Sequence, residues 1–160
     1  INQGRLVISF IGHGSVQFWA AENLFSVDSI PSLTNTGIYP FFAPMTCAEG
    51  YFIFPTAQNF NYPSLAESLM VASDKGAIAS FSPSGFGLAS GHDILAHGLY
   101  QAFFTDGTTE FGPATTFAKY YLDANGPGFL DLIDTYNLFG DPDTRLKIPP
   151  FLINLPLVIR

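Results

Sequence analysis

Leu6-Val7-Ile8-Ser9-Phe10-Ile11-Gly12-His13-Gly14-Ser15 is the stretch from which the fold of this chain is read. An almost unbroken apolar run, rich in β-branched and aromatic residues, stops at a histidine between two glycines. Such a run predicts a strand buried on both faces of a sheet. The glycines end it and let the backbone turn tightly, with room for another group to approach. Open α/β sheets place their chemistry outside the carboxyl ends of the strands, which is where His13 falls. A histidine in a surface turn is the plainer reading of the tripeptide alone. The balance shifts at Phe41-Phe42-Ala43-Pro44-Met45-Thr46-Cys47, a second apolar run that ends in the only cysteine of the chain.

Composition sets the outer bounds. A chain of 160 residues is long enough for one domain with a core of its own. The charged share is 12%, about half the usual fraction, as expected of a sheet covered on both sides. Net charge is −7, and the six Lys and Arg form no cluster, so nucleic acid is not an expected partner. One cysteine forms no internal disulfide, and any thiol chemistry belongs to Cys47. The late apolar run over 151–159 is too short to span a membrane and contains Pro156. Because Ile1-Asn2-Gln3-Gly4 opens almost directly into a core strand, the chain reads as a piece of something larger.

Read in order, residues 16–37 hold no sustained period, with one short helical turn expected at 28–33, capped by Asp28 or Ser29. Phe18, Trp19 and Phe25 read as core or cleft packing. Residues 38–46 form the second strand, although Pro40 and Pro44 count against a central position. Residues 50–63 read as an aromatic surface loop. Ser64-Leu65-Ala66-Glu67 is a capping box opening a helix to about residue 73, which Lys75-Gly76 stops. The third strand covers 76–81 and closes at Ser82-Pro83-Ser84-Gly85. Strand, helix and strand within about forty residues argue for a parallel pair with a right-handed crossover. Helices are expected at 94–104 and at 113–122, the latter entered by Pro113. An edge strand is expected around Leu146-Lys147-Ile148. Residues 1–148 form the domain and 149–160 a linker or tail.

His13, Cys47 and the turn after the third strand then share one sheet edge. A thiol is a nucleophile only as the thiolate, and a free cysteine, pKa about 8.5, is a few per cent ionised at neutral pH. A neighbouring histidine activates it or protonates the leaving amine. The oxyanion of acyl transfer needs two N–H donors, and the N–H groups of Gly14 and Cys47 are placed to supply them. Against this stands the ordinary fate of a lone cysteine as a buried small hydrophobe. His92 and His97 compete with His13. Five residues apart on a helix, they lie about 140° around its axis from one another and make a poor metal pair. His92, beside Asp93, reads as a solvated N-terminal turn, and Asp141 in Gly-Asp-Pro as a turn former.

Five segments together carry a resemblance: Ile11-Gly12-His13-Gly14-Ser15, Met45-Thr46-Cys47-Ala48-Glu49-Gly50-Tyr51-Phe52, Ser64-Leu65-Ala66-Glu67, Gly76-Ala77-Ile78-Ala79, and Tyr136-Asn137-Leu138-Phe139-Gly140-Asp141-Pro142. In this order and spacing the chain resembles the gingipain-type cysteine peptidases. The resemblance implies a caspase-like three-layer sandwich, α/β, with a mostly parallel sheet and helices on both faces, here the C-terminal portion with the early strands missing. It implies His13 and Cys47 as the catalytic dyad, and Gly14 and Cys47 as the oxyanion donors. The loop 82–86 would border the cleft for the substrate residue before the scissile bond, with Met45, Thr46, Ser82 and Ser84 as substrate contacts. The family's earlier carboxylate has no match here, so cleavage after Arg or Lys does not carry over. The expected function is a cysteine endopeptidase acting on protein or peptide substrates, secreted or at the cell surface, with further domains in the same polypeptide. It requires no cofactor; calcium is not readable from these residues. A sortase-like transpeptidase with the same dyad, or an inactive scaffold of the same fold, are the alternatives.

Overall fold

The structure, a computed structural model, describes residues 1–53 and 63–148. Most of the loop expected at 50–63, and all of the tail expected at 149–160, lie outside the described residues. The described residues hold six strands, numbered in chain order: β1 (Val7–Ile11), β2 (Phe18–Trp19), β3 (Phe25–Ser26), β4 (Phe41–Met45), β5 (Ala79–Pro83) and β6 (Tyr136–Phe139). The main sheet has the order β1-β4-β5-β6, and β2 pairs with β3 as a separate small hairpin. β1, β4 and β5 are parallel, while β6 runs antiparallel to β5. Among the described residues four α-helices accompany them: α1 (Leu65–Val71), α2 (Ala89–Phe104), α3 (Phe111–Asn125) and α4 (Leu130–Thr135).

The five residues of β4 are all buried, because both faces of the sheet are covered. Phe41, Ala43 and Met45 enter one core with Phe81 of β5, Leu95, Leu99 and Phe103 of α2, and Phe111, Ala114 and Leu122 of α3. Phe42, one residue out of phase, enters the other core with Trp19, Phe25, Ile30, Leu33 and α1's Leu65 and Leu69. This is the three-layer α/β arrangement expected from sequence, and it explains why the strand reads as a continuous apolar run rather than an alternating one. α1 begins as the capping box predicts: Ser64 Oγ accepts the Glu67 N–H at 3.3 Å, and Glu67 Oε2 accepts the Ser64 N–H at 2.9 Å.

Pro44 sits in a central strand without disrupting it. The Phe41 N–H donates to Leu6 O at 3.0 Å and Met45 O accepts the Gly12 N–H at 3.2 Å, so the odd-numbered residues of β4 bond toward β1. Pro44 therefore presents its missing N–H on the β5 side, where the paired register ends at Phe42↔Ser80. Its carbonyl accepts the Tyr136 hydroxyl at 3.1 Å.

Several expectations are corrected. β1 is an edge strand of the described sheet: its residues are half-buried or exposed, and Ile11 keeps 59% of its surface. The third strand starts later, at Ala79, and takes in Ser82 and Pro83. The antiparallel edge strand is β6; around residue 146 only an isolated bridge, Glu110↔Arg145, is formed. The turn expected at 28–33 is a 3₁₀ helix, Val27–Ser32, capped by Ser26 in a reciprocal pair with Ser29. α2 starts five residues earlier than its periodicity suggests, and α3 runs from Phe111 to Asn125.

Candidate active site

The register of the two leading strands assembles the site. Ile11 of β1 pairs with Met45 of β4, so His13 and Cys47 each stand two residues beyond the last pair, on neighbouring strands. Adjacent strands lie about 4.8 Å apart, which brings the two tips within reach of one another. His13 and Cys47 line one small cleft of about 120 Å³, together with Gly12, Met45, Gly87, Ala89 and His92. His13 is exposed and Cys47 half-buried, its Sγ 3.7 Å from Gly87 O, to which it donates.

The backbone around these residues is held tightly. After His13 the chain folds into a hairpin in which the Ser15 N–H donates to Phe18 O at 2.9 Å and the Ala20 N–H to His13 O at 2.8 Å. Gly14 lies opposite Trp19 between those two bonds, so its N–H takes no part in the hairpin. A Cβ on Gly14 would overlap Thr46 Oγ1, which is why the approach of the two tips demands glycine. On the cysteine side, Ala48 adopts φ +56 and donates its N–H to Gly85 O at 2.8 Å, and Gly50 donates to Pro83 O at 2.8 Å. The turn after Cys47 is thus bound to the last residue of β5 and to the segment that follows it.

Glu49 is the residue that sequence reasoning missed here. It is fully buried, its Oε2 accepts the Trp19 indole N–H, and Oε1 stands 3.5 Å from Ser82 Oγ. Burial pushes its carboxyl up to about 8, against the pull of the Trp19 and Ser82 hydrogen bonds. One side chain thereby ties the turn after Cys47 to the hairpin after His13. The signal was a lone acid among small residues in Cys-Ala-Glu-Gly, where no solvated face accounts for it.

The expected substrate contacts fall in different places. Met45 is wholly buried and forms the inner wall of the cleft. Thr46 is also buried, and its Oγ1 has no hydrogen-bond partner. Ser82 is buried, with its hydroxyl 2.6 Å from that of Ser80, and Ser84 donates to Thr135 O at 3.0 Å while accepting from Asn137 Nδ2 at 3.2 Å. Ser82 thus faces the sheet interior, while Ser84, half-buried just past β5, is bonded to the start of β6. The cleft is also bordered by Gly87 and Ala89, and the side chains of Phe86 and Leu88 on either side of Gly87 are exposed.

His92 is corrected as well. Because α2 starts at Ala89, His92 lies within the helix with 4% exposure, its ring 5.8 Å from Tyr136. Its Nε2 is buried without a partner. Burial holds its pKa below the ordinary histidine value, with the Asp131 carboxylate pulling the other way. His97 is exposed and stacks on Tyr121, with ring centres 5.2 Å apart. Asp141 does form a turn, its Oδ1 accepting the Asp143 N–H at 2.9 Å. Among the described residues no three His, Cys, Asp or Glu side chains gather as a metal-binding group. Nor is any helix there long and apolar enough to cross a membrane.

The family model described as peptidase family C25 matches residues 1–147. The crystal structure of the Arg-specific cysteine proteinase gingipain R superposes with a TM-score of 0.73 at 24% identity, covering 91% of this chain and 34% of that one. The complex of the pro- and mature domains of the Porphyromonas gingivalis enzyme gives a TM-score of 0.72 at 24% identity, covering 91% and 35%. A third structure, titled only as a protease, gives 0.75 at 17% identity, covering 91% and 36%. These likenesses establish the fold, and the chain spans about a third of the length of each of those structures. The search of curated proteins found no match.

Proposed function

The chain belongs to peptidase family C25, and from that premise we propose that it carries the dyad of a cysteine endopeptidase, with Cys47 as nucleophile and His13 as general acid and base. The observation that supports this most is the Ile11↔Met45 register, which sets the two side chains equally far past the sheet edge and onto one cleft. The Cys47 thiolate attacks the carbonyl carbon of the scissile peptide bond. The oxyanion that forms faces the N–H groups of Gly14 and Cys47. As the C–N bond breaks, the electron pair goes to the amine and His13 supplies its proton, leaving an acyl thioester on Cys47. Water, deprotonated by His13, then attacks the thioester; the acid product departs and the thiolate is restored. Every proton in this sequence travels through His13, so the chemistry calls on no cofactor.

His92 is the competing imidazole, since it borders the same cleft. His13 is favoured because it is exposed and able to exchange a proton with water, whereas His92 is sealed in the helix and disfavoured as a cation. The reading extends to protein or peptide substrates, a secreted or surface setting, and further segments of the same polypeptide. Replacing Cys47 with Ala in the intact protein is expected to abolish peptide cleavage with the fold retained, a loss of at least about 5 kcal/mol in barrier lowering. Retention of more than a few per cent of activity would remove Cys47 from its role. Among the histidines, His13→Ala should cause the severe loss and His97→Ala none. Near wild-type rates in His13→Ala would transfer the proton role elsewhere.

A further inference from the structure

We propose that Glu49 is a positioning residue for the peptidase reaction: its side chain braces the two oxyanion donors, the N–H groups of Gly14 and Cys47, at the separation the transition state requires. The inference rests on the dyad reading above, since Cys47 as nucleophile defines where the oxyanion forms.

The two donors belong to different segments. Gly14 lies in the hairpin after β1 and Cys47 in the turn after β4, so the covalent chain does not fix their separation. Thr46, the residue before Cys47, sets how close they come, because its side chain fills the space where a Cβ on Gly14 would lie. Glu49, on the other side of Cys47, opposes their moving apart. Its Oε2 accepts the indole N–H of Trp19, and Trp19 is the residue bridged to Gly14 across the hairpin. The indole transmits that hold because it is itself fixed. It stacks on Phe10 of β1 with ring centres 4.8 Å apart and packs on Phe42 of β4 at 6.0 Å. The second oxygen, Oε1, stands 3.5 Å from Ser82 Oγ, which ties the acid to β5. A stop before Cys47 and a tie after it leave the hairpin one position.

A polar group does this at a cost, which is itself informative. Glu49 is wholly buried, and a buried acid is unfavourable unless it is hydrogen-bonded. What the bond adds is direction: it fixes a distance and an angle where apolar packing tolerates sliding. Oxyanion donors need that, because a misplacement of about 1 Å can lower a rate about a hundredfold. Burial raises the carboxyl pKa to about 8, so near neutral pH it is mostly uncharged. It then acts through its shape and its acceptor oxygen, both of which a carboxamide shares. Two backbone bonds join the same elements independently of this side chain: Leu65 N–H to Val16 O at 2.8 Å and Ala66 N–H to Glu49 O at 3.2 Å. A change confined to the side chain therefore leaves the hairpin and the turn attached to α1 and loosens only their mutual aim.

The test measures kcat and KM of the intact protein on the best-cleaved member of a set of fluorogenic peptides that differ in the residue before the scissile bond. Glu49→Leu keeps the volume and removes the acceptor. Its kcat should fall about thirtyfold with KM within about twofold, because oxyanion donors act in the transition state. Glu49→Gln should keep kcat within about threefold. Alkylation of Cys47 by iodoacetamide, a displacement that forms no oxyanion, should stay within about twofold of the wild-type rate in both variants. Trp19→Phe reads the same bond from its other end, and the double variant Trp19→Phe/Glu49→Leu should be no more than about twofold slower than the slower single one. Wild-type kcat in Glu49→Leu, a loss confined to KM, equal losses in the Leu and Gln variants, or losses that multiply in the double variant overturn the assignment. So does an alkylation rate that falls in step with kcat, which would place the effect on the thiol. Cys47→Ala is run alongside: activity in that variant removes the nucleophile reading itself, whereas an inactive Cys47→Ala beside an unimpaired Glu49→Leu removes only the brace.

Discussion

Replacing Glu49 with Gln should stabilise this protein, and increasingly so as pH rises. The carboxyl is wholly buried and titrates near 8 in the fold, against an ordinary value of 4.5. Between those two values the folded chain keeps the proton and the unfolded chain releases it. Folded stability therefore falls as pH increases across that window, at about 1.4 kcal/mol per pH unit. At pH 7 the accumulated cost is about 3 kcal/mol, a sizeable part of a stability of about 5–15 kcal/mol. Glutamine has the same shape and no charge: its carbonyl can accept the Trp19 indole N–H and its amide can donate to Ser82 Oγ. Urea unfolding of both proteins at pH 5, 6, 7 and 8 checks this. The expected result is a stability difference close to zero at pH 5 that grows in favour of Glu49→Gln toward pH 8. A difference independent of pH, or a glutamine variant that is weaker throughout, would refute the idea of a buried, proton-holding acid.

Two further outcomes follow from contacts already described. Gly14→Ala forces a methyl group into Thr46 Oγ1; activity should fall by about a hundredfold through displacement of an oxyanion donor, with a loss of about 1–3 kcal/mol in stability, read by paired kinetics and unfolding curves. Ser64→Ala removes the hydroxyl half of the capping box that starts α1, leaving the Ser64 N–H bonded to Glu67, and should lower stability by about 1 kcal/mol, a fall in Tm of a few degrees by calorimetry, with kcat unchanged.

How much of this was legible in the chain differs by element. The two tip motifs, the apolar β4 run and the Ser64–Glu67 box speak for themselves, because each is a local pattern with its own physical cause. β6 was hidden because four residues between an exposed turn and a six-residue helix hold no periodicity; the strand exists through its pairing with β5. The first turn of α2 was hidden for a different reason. It starts at Ala89-Ser90-Gly91 behind Leu88, with no capping side chain, and Gly91 is there because Phe129 and Leu132 press against it. Missing that turn placed His92 in solvent when it belongs to the cleft. Ser82 and Pro83 read as a closing turn because nothing in the sequence marks that β5 runs past residue 81. β1 reads as doubly buried, since an apolar run carries no mark of which neighbours cover it.

The central claim is that Cys47 is a nucleophile served by His13. It is tested most directly by treating the intact protein with a panel of peptidyl acyloxymethyl ketones that differ in the side chain next to the reactive group, and locating the adduct by peptide mass spectrometry. The account predicts stoichiometric modification at Cys47, slowed by about a hundredfold or more in His13→Ala and lost in Cys47→Ala. Modification at the same rate with and without the His13 imidazole, or no reaction at Cys47 in the folded wild-type protein with any peptidyl side chain, would contradict it.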